Sequence, residues 1–255
     1  MKVAVIGAGV MGEALIAGLQ RFGVSDIAIV EKNEARRDEI VTKYRVSVGG
    51  VEECDVVLLV TKPQDLDGVV TGLKLKSSAL LISFAAGKKT AGIEALLPEG
   101  FRVVRVMPNT PLLISNGMSA VSAGKNATSE DIEWVRSFLL KSGQVIVVPE
   151  VLQDAVTATS GSGPAYFFAM VEAMAGAAEK LGLSGDDAMT LAKETLIGAA
   201  AMLRESGKDA KTLRENVTSP KGTTAAALAK LSESNFEGLV YEAMKAARDR
   251  SIELS

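Results

Sequence analysis

The chain opens on a short apolar segment that runs directly into a glycine-rich turn. Val3–Ile6 are apolar, and Gly7–Gly12 read GAGVMG, with glycine at the first, third and sixth positions. A helical pattern over Met11–Phe22 follows, so the glycines lie between a predicted strand and a predicted helix. In this arrangement the glycines permit a tight turn, close ligand approach and close packing of helix on strand. Because N–H groups at such a helix start bind phosphate, the pattern predicts a dinucleotide-binding site.

Strand patterns alternate with helical patterns through the first 150 residues. The predicted strands are Val3–Ile6, Ile27–Val30, Val56–Val60, Leu80–Ser83, Val103–Val106 and Gln144–Val148. The predicted helices are Met11–Phe22, Glu34–Lys43, Gln64–Leu73, Ile93–Leu97 and Glu130–Lys141. Continuous apolar runs suit strands that are buried on both faces of a parallel sheet. The alternation therefore predicts an α/β fold, with an N-terminal Rossmann doubly wound sheet over residues 1–150.

The pattern changes after residue 150, where strand signals almost vanish. The helical segments there are Ala165–Leu181, Asp186–Glu205, Leu213–Val217, Ala225–Leu231 and Phe236–Leu254. They predict an all-helical second domain over residues 151–255. The small side chains of Ala173–Ala178 and Gly198–Ala201 suit either a helical core or close packing across a dimer interface.

Composition excludes several classes of chemistry. The chain has no histidine and one cysteine, Cys54, so Ser-His-Asp mechanisms, disulfides within the chain and Cys-rich zinc sites are ruled out. The 28 basic and 31 acidic residues give a net charge of −3, which does not support nucleic-acid binding. No run approaches the roughly 20 apolar residues of a membrane helix, and the N-terminus lacks a signal-peptide pattern. We therefore expect a cytoplasmic protein that binds neither nucleic acid nor membrane.

The end of the second predicted strand carries opposing signals for the choice between NAD and NADP. Glu31 lies 19 residues after Gly12 and could accept hydrogen bonds from both ribose hydroxyls, which favours NAD. Lys32, Arg36 and Arg37 could instead bind a 2′-phosphate. The residues leave both cofactors open.

Polar or small residues follow three further strands, where a parallel sheet faces its ligand. Thr61-Lys62-Pro63 end one strand, and the proline keeps Lys62 extended. Ser83–Gly87 would allow backbone contact with a cofactor. Two prolines make a stiff loop around Asn109 and Thr110.

Two polar stretches precede helices in the second half. Thr159–Pro164 and Thr218–Thr224 each offer free N–H groups and hydroxyls at a helix start. Such an arrangement can hold a small carboxylate, although helix capping alone would also explain it.

Together these motifs resemble the pyrroline-5-carboxylate reductase family, in order and over nearly the whole chain. The resemblance is carried by Gly7–Gly12, Lys62-Pro63, Ser83–Gly87, Met107–Pro111, Gly161–Tyr166 and Val217–Thr224. The last stretch is the most specific of them. Members usually have a glycine where this chain has Lys221.

The resemblance implies reduction of 1-pyrroline-5-carboxylate to L-proline, the last step of proline biosynthesis, with reduced NADP or NAD and no metal. It also implies an intertwined homodimer, which in many members assembles further into decamers. The substrate-binding residues implied are Ser219, Gly222, Thr223, Thr224 and Ser162, and Thr224 is the catalytic candidate, with its hydroxyl on the ring nitrogen. The cofactor-binding candidates are Ile6, Gly7, Ala8, Gly9, Val10, Met11, Gly12, Glu31, Lys32, Arg36, Thr61, Lys62, Pro63, Ala85, Ala86 and Asn109.

This chemistry agrees with the absence of histidine. A protonated cyclic imine already accepts hydride, so the protein mainly has to position the two reactants. One alternative is an enzyme of the β-hydroxyacid dehydrogenase or imine reductase type, and for a hydroxyacid dehydrogenase Lys193 would be the acid/base candidate. A second is a protein that binds NAD(P) as a sensor or scaffold without turnover.

Overall fold

The computed structural model describes residues 1–254, which form two compact units. The first unit comprises Met1–Ser162 and the end of the chain from Ala246 onward, and the second comprises Gly163–Lys245. The sequence places a domain boundary at residue 150, whereas the compact units divide the chain after Ser162. The return of the chain to the first unit has no signal in the sequence.

The first unit is built on a mainly parallel sheet. Its strands are β1 (Lys2–Ile6), β2 (Asp26–Val30), β3 (Ser47–Val48), β4 (Val56–Leu59), β5 (Leu80–Ser83), β6 (Arg102–Met107), β7 (Gly117–Ala123) and β8 (Gly143–Val147). Within residues 1–254 the strand order is β3-β2-β1-β4-β5-β6-β7-β8, and every neighbouring pair is parallel except β6–β7. The chain order reverses between β1 and β4, where ligands bind in doubly wound sheets. The predicted α/β class is confirmed.

The helices follow the predicted alternation and then dominate the chain. The first unit contains α1 (Val10–Phe22), α2 (Glu34–Tyr44), α3 (Leu66–Gly72), α4 (Thr90–Glu94), α5 (Ser129–Leu139), α6 (Gln153–Val156) and a π-helical turn over Thr157–Gly161. The second contains α7 (Gly163–Lys180), α8 (Gly185–Glu205), α9 (Ala210–Asn216), α10 (Thr223–Glu233) and α11 (Phe236–Glu253), although the last turns of α11 belong to the first unit. From Glu150 onward the described residues form helices without strands, which confirms the helical C-terminal domain.

Both faces of the sheet are covered, which explains its uninterrupted apolar runs. Val3 and Val5 point to one face, which also buries Leu15 and Leu19 of α1. Ala4 and Ile6 point to the opposite face, beneath α3 and α4. Burial of a leucine side chain contributes about 2 kcal/mol.

Strand β7 is absent from the prediction because its sequence, GMSAVSA, has small and polar residues in place of an apolar run. Long-range hydrogen bonds compensate. The buried Ser122 donates to the Val148 carbonyl at 2.7 Å and accepts from Gln153 at 2.8 Å. The side chain of Ser122 is therefore satisfied inside the unit.

A buried arginine interrupts the apolar sequence of β6. The Arg105 side chain is 1% exposed and lies 3.4 Å from Glu150 and 3.7 Å from Asp154. Asp154 also accepts a 2.7 Å hydrogen bond from Ser251, in the last turns of α11. This Arg105 network joins the sheet to the segment after β8 and to the end of α11.

Candidate active site

The glycine turn after β1 has the geometry that its spacing predicts. Gly7 has φ 95°, and a Cβ there would lie 2.7 Å from the Val60 carbonyl oxygen. A Cβ on Gly12 would lie 2.0 Å from the Gly7 carbonyl oxygen. Both positions therefore exclude a side chain, the first through its turn and the second through the contact of helix and strand.

Gly9 faces open space and is the N-cap of α1. A Cβ on Gly9 would meet nothing within 4 Å among the described atoms, and no side chain in residues 1–254 caps the helix start. The first-turn N–H groups of α1 are thus left to a ligand. An open cradle beside uncapped N–H groups fits the pyrophosphate of a dinucleotide.

Glu31 follows β2 and lies against the glycine turn. One carboxylate oxygen accepts from the Ala8 N–H at 2.8 Å, and the other accepts from the Asn33 N–H at 2.9 Å. These two bonds fix a negative charge at the strand end where a dinucleotide places its adenosine ribose.

Arg36, one of the predicted phosphate-binding residues, is held by acidic groups. It forms ion pairs with Glu13 of α1 and with Glu39, and its Nε donates to the Ala8 carbonyl at 2.9 Å. Glu13 also accepts from Lys43 Nζ at 2.7 Å. Hydrogen bonds from Lys43 and Arg36 lower the pKa of Glu13 to about 2. Glu13 has no signal in the sequence as a site residue, because its partners Arg36 and Lys43 lie 23 and 30 residues away.

The other two basic residues after β2 differ in their surroundings. Arg37 lies 3.4 Å from Asp38. Lys32 is exposed, and in the described part of the chain it forms no ion pair. Lys32 is therefore the basic side chain here that remains available to a ligand.

The residues after β4 are held as predicted. Lys62 is exposed and extended, with φ −63° and ψ 145°, and Pro63 begins a short 3-10 turn. The Thr61 hydroxyl is buried and has no hydrogen-bond partner among residues 1–254. A buried hydroxyl left unpaired at a ligand-facing strand end fits a residue whose partner is a bound molecule.

After β5 the chain is tightly packed. Ala85 is buried, and its N–H donates to the Ser83 hydroxyl at 3.4 Å. Gly87 has φ 76°, and a Cβ there would lie 2.9 Å from the carbonyl oxygen of Ser251. Gly87 is thus needed for the approach of the end of α11, while Ala86 remains half-buried beside it.

Asn109 follows β6, and both ends of its carboxamide contact the protein. Its oxygen accepts from the Met118 N–H at 2.8 Å, and its nitrogen donates to the Ser160 carbonyl at 3.1 Å. Ser160 belongs to the π-helical turn, in which the N–H of Ser162 donates to the Thr157 carbonyl at 2.8 Å. The first unit therefore brings Asn109 together with the polar segment before α7.

The polar loop of the second unit closes as a tight turn before α10. The Gly222 N–H donates to the Ser219 carbonyl at 3.0 Å, and Lys221 has φ 60°. With Pro220 at the second position this pattern fits a type II turn, which favours glycine at the third. Lys221 therefore adopts the left-handed conformation of the glycine that usually stands there.

The start of α10 is uncapped. Gly222 is its N-cap, and no side chain within residues 1–254 accepts from its first turn. A Cβ on Gly222 would lie 2.4 Å from the Ser219 hydroxyl, so the turn requires glycine here. Thr223 is exposed and Thr224 half-buried, both in the first turn of the helix. The loop thus combines unpaired N–H groups with hydroxyls, which suits a small carboxylate.

Features expected of the alternative functions are weak. Lys193 is exposed on α8 and lies 3.3 Å from its neighbour Glu194, as an ordinary surface ion pair does. No group of three potential metal ligands occurs among the described residues. No helix within residues 1–254 is both long enough and apolar enough to span a membrane.

Comparisons with known proteins agree with this geometry. Residues 150–254 match the family model described as pyrroline-5-carboxylate reductase dimerisation. Residues 2–87 match the model described as NADP oxidoreductase coenzyme F420-dependent. The pyrroline-5-carboxylate reductase of Corynebacterium melassecola is 41% identical, over 99% of this chain and 98% of its own.

Solved structures show the same similarity. A pyrroline-5-carboxylate reductase from Coxiella burnetii is 34% identical, with a TM-score of 0.92 over 100% of this chain and 98% of its own. Pyrroline carboxylate reductase from Plasmodium falciparum, solved with NADP bound, is 28% identical, with a TM-score of 0.85 over 100% of this chain and 98% of its own. On its sequence and its fold, this chain belongs to the pyrroline-5-carboxylate reductase family.

Proposed function

We propose that this chain reduces 1-pyrroline-5-carboxylate to L-proline with a reduced nicotinamide dinucleotide. The observation that carries the proposal is the uncapped start of α10 behind the Ser219–Gly222 turn. It gives the helical unit a place for a small carboxylate, which a protein that only binds a dinucleotide would not need. The full-length similarity to reductases of this name supports the same substrate.

We assign the substrate contacts to the loop and the first turn of α10. The N–H groups after Gly222 and the hydroxyls of Ser219 and Thr223 hold the carboxylate. The Thr224 hydroxyl hydrogen-bonds the ring nitrogen and keeps its proton in place. Ser162, the residue that follows the π-helical turn, is the further substrate contact.

The reaction needs little acid or base from the protein. The C=N bond takes a hydride at C5 and already carries a proton on nitrogen, so the product is a secondary amine. The bound cofactor supplies the hydride. The residues of the chain hold the ring in the orientation that hydride transfer to C5 requires, which accounts for a site without histidine.

We assign cofactor binding to the loops at the carboxyl ends of the first unit's parallel strands. The turn from Ile6 to Gly12 takes the pyrophosphate. Glu31 takes the adenosine ribose, with Lys32 and Arg36 beside it. The remaining contacts come from Thr61–Pro63, Ala85-Ala86 and the loop that holds Asn109.

For the choice of cofactor we propose a preference for NADH. Glu31 places a carboxylate at the ribose position, where a 2′-phosphate would be repelled. Arg36, the cation best placed to offset it, is already paired with Glu13 and Glu39. Of the three basic candidates Lys32, Arg36 and Arg37, Lys32 is the one without an ion pair among the described residues, which allows NADPH as the less efficient hydride donor.

We propose that the chain works in the cytoplasm as an intertwined homodimer, which assembles further into a decamer. The helical unit exposes large apolar side chains that water would disfavour in an isolated chain. Among them are Phe167, Phe168, Leu181, Leu239 and Tyr241, each between 59% and 88% exposed. The match of residues 150–254 to a dimerisation model supports self-association through this unit.

The test measures which substrates the purified protein turns over. Oxidation of NADH and of NADPH is measured side by side with pyrroline-5-carboxylate, and reduction of NAD and NADP is measured with a panel of β-hydroxyacids. Turnover of the imine alone, with formation of proline, is expected. Turnover of a hydroxyacid that depends on Lys193 would favour the dehydrogenase alternative. Tight nucleotide binding without oxidation by any imine or carbonyl would favour a sensor.

A further inference from the structure

The π-helical turn before α7 leaves one of its carbonyl groups without the usual partner. In a continuous α-helix the Ser160 carbonyl would accept from the N–H of residue 164. Residue 164 is proline, which has no N–H and whose ring disfavours a carbonyl four residues earlier. The helix widens at this point, and the Ser162 N–H donates to Thr157, five residues back. The Ser160 carbonyl therefore needs a donor from elsewhere.

Asn109 supplies that donor from the other side of the unit. Its Nδ2 lies 3.1 Å from the Ser160 oxygen, and its Oδ1 is fixed by the Met118 N–H at 2.8 Å. The backbone at Asn109 is extended, with φ −133° and ψ 167°, between the buried Pro108 and the turn that begins at Thr110. The carboxamide thus connects the loop after β6, the start of β7 and the π-helical turn.

Hydroxyl groups within the turn do not compete for this bond. Thr157 donates to the Gln153 carbonyl at 2.9 Å, and Thr159 donates to the Ala155 carbonyl at 2.8 Å. Each satisfies a carbonyl one turn earlier. The Ser160 carbonyl is left to Asn109.

The turn is packed against the end of β6. A Cβ on Gly161 would lie 2.4 Å from Met107 Cε, so glycine permits this contact. Met107 ends the strand that pairs with β5, whose last residue, Ser83, precedes the cofactor loop. Two contacts therefore set the position of Ser160–Ser162 relative to that edge of the sheet. One is the packing of Gly161 against Met107, and the other is the hydrogen bond from Asn109 to the Ser160 carbonyl.

We propose that Asn109 is a positioning residue for hydride transfer, which acts by holding the π-helical turn in place of the N–H that Pro164 lacks. The proposal rests on the proposed function, because the turn leads into Ser162 and borders the carboxyl edge of the sheet assigned to the cofactor. It replaces direct cofactor contact as the role of Asn109.

The experiment is a double-mutant cycle in the full chain. Asn109→Leu removes the donor without adding charge, and Pro164→Ala restores an N–H that can donate to Ser160. Asn126→Leu is the matched control, since Asn126 also donates from its amide to a backbone carbonyl, that of Phe101 at 3.2 Å, before the start of β6. If the leucine variant does not fold, Asn109→Ser takes its place in the same cycle.

Four quantities are measured for each variant: kcat, the single-turnover rate of hydride transfer, the Kd of NADH and NADPH, and hydrogen exchange at the Ser162 amide. We expect Asn109→Leu to lose about tenfold in kcat and in the single-turnover rate, because small displacements of reacting groups are costly. The Kd values should stay within about twofold of the wild type, and exchange at Ser162 should accelerate. Adding Pro164→Ala should recover a large part of both losses, while Asn126→Leu stays within about twofold throughout.

Three results would overturn the proposal. One is a loss of activity explained by weaker nucleotide binding, which would make Asn109 a cofactor contact. The second is an equal loss in Asn126→Leu, and the third is no recovery in the double variant. If the wild type itself fails to reduce pyrroline-5-carboxylate, the proposed function is wrong, and the Ser162 exchange data decide separately whether Asn109 holds the turn.

Discussion

The carboxylate of Glu31 accepts a 2.8 Å hydrogen bond from the backbone N–H of Ala8, in the turn between β1 and α1. This contact ties the charge after β2 to the glycine loop. Replacement by Gln keeps the size and one acceptor but removes the charge that would repel a 2′-phosphate. We expect Glu31→Gln to raise the ratio of kcat/KM for NADPH over NADH by about tenfold. Steady-state kinetics with both nucleotides check this, and an unchanged ratio would show that Glu31 does not select the cofactor.

Glu13 is expected to influence the same selectivity from α1. Its carboxylate pairs with both Arg36 and Lys43, so Glu13→Gln should raise the net positive charge close to the ribose position, while Arg36 keeps its pair with Glu39. We expect the NADPH over NADH ratio to rise by a few fold, with little change in the KM of the imine. Glu133→Gln is the control, because Glu133 pairs with Arg136 on the exposed side of α5. A rise of equal size in the control would refute the local explanation.

The low pKa of Glu13 also predicts a pH dependence of stability. Hydrogen bonds from Lys43 and Arg36 lower this pKa from 4.5 to about 2, so the ionised group stabilises the folded chain above pH ~4.5. That stabilisation is lost as the pH falls toward 2. The free energy of unfolding of the wild type should exceed that of Glu13→Gln near neutral pH, and the gap should close in this acid window. Urea titrations from pH 7 to the acid limit of folding check it, and a gap that does not vary with pH contradicts the assignment.

Thr224 is the residue that we expect to contact the ring nitrogen. Thr224→Ala should lower kcat/KM for pyrroline-5-carboxylate by at least about tenfold and leave the Kd of NADH unchanged. Thr212→Ala is a suitable comparison, since Thr212 is also half-buried and lies in α9. Equal kinetics for the two variants would remove Thr224 from the mechanism.

The Arg105 network should be sensitive to loss of its cation. Arg105→Met leaves the carboxylates of Glu150 and Asp154 without the buried charge that faces them, which typically costs about 3 kcal/mol. Lys230→Met breaks the exposed pair with Glu233 and should cost less than about 1 kcal/mol. Urea unfolding of both variants measures the difference, and similar values would mean that water already compensates the buried pair.

Most strands of the Rossmann sheet were predictable because burial on both faces requires a continuous run of apolar residues in the sequence. A strand covered on both faces, such as Val56–Leu59, must be apolar at every position. Gly7 and Gly12 were predictable for a related reason, since each position excludes a side chain and the spacing of such positions is visible in the sequence.

The polar contacts of the site were not predictable, because their partners are distant in sequence. Asn109 and Ser160 are 51 residues apart, and Glu13 and Lys43 are 30 apart. Strand β7 was missed for the same reason, since Ser122 donates to the Val148 carbonyl and accepts from Gln153, and these bonds compensate for the small and polar residues of the strand. No local periodicity reports such pairs.

The approach of Ser251 to Gly87 has a consequence for how this protein is made. Because the final turns of α11 pack into the first unit, that unit is interrupted in sequence by the whole helical unit. During translation residues 1–162 are synthesised well before the end of α11 that packs against them. The nucleotide-binding unit therefore cannot finish folding until the helical unit has been translated. An isolated fragment of residues 1–162 would lack the final turns of α11.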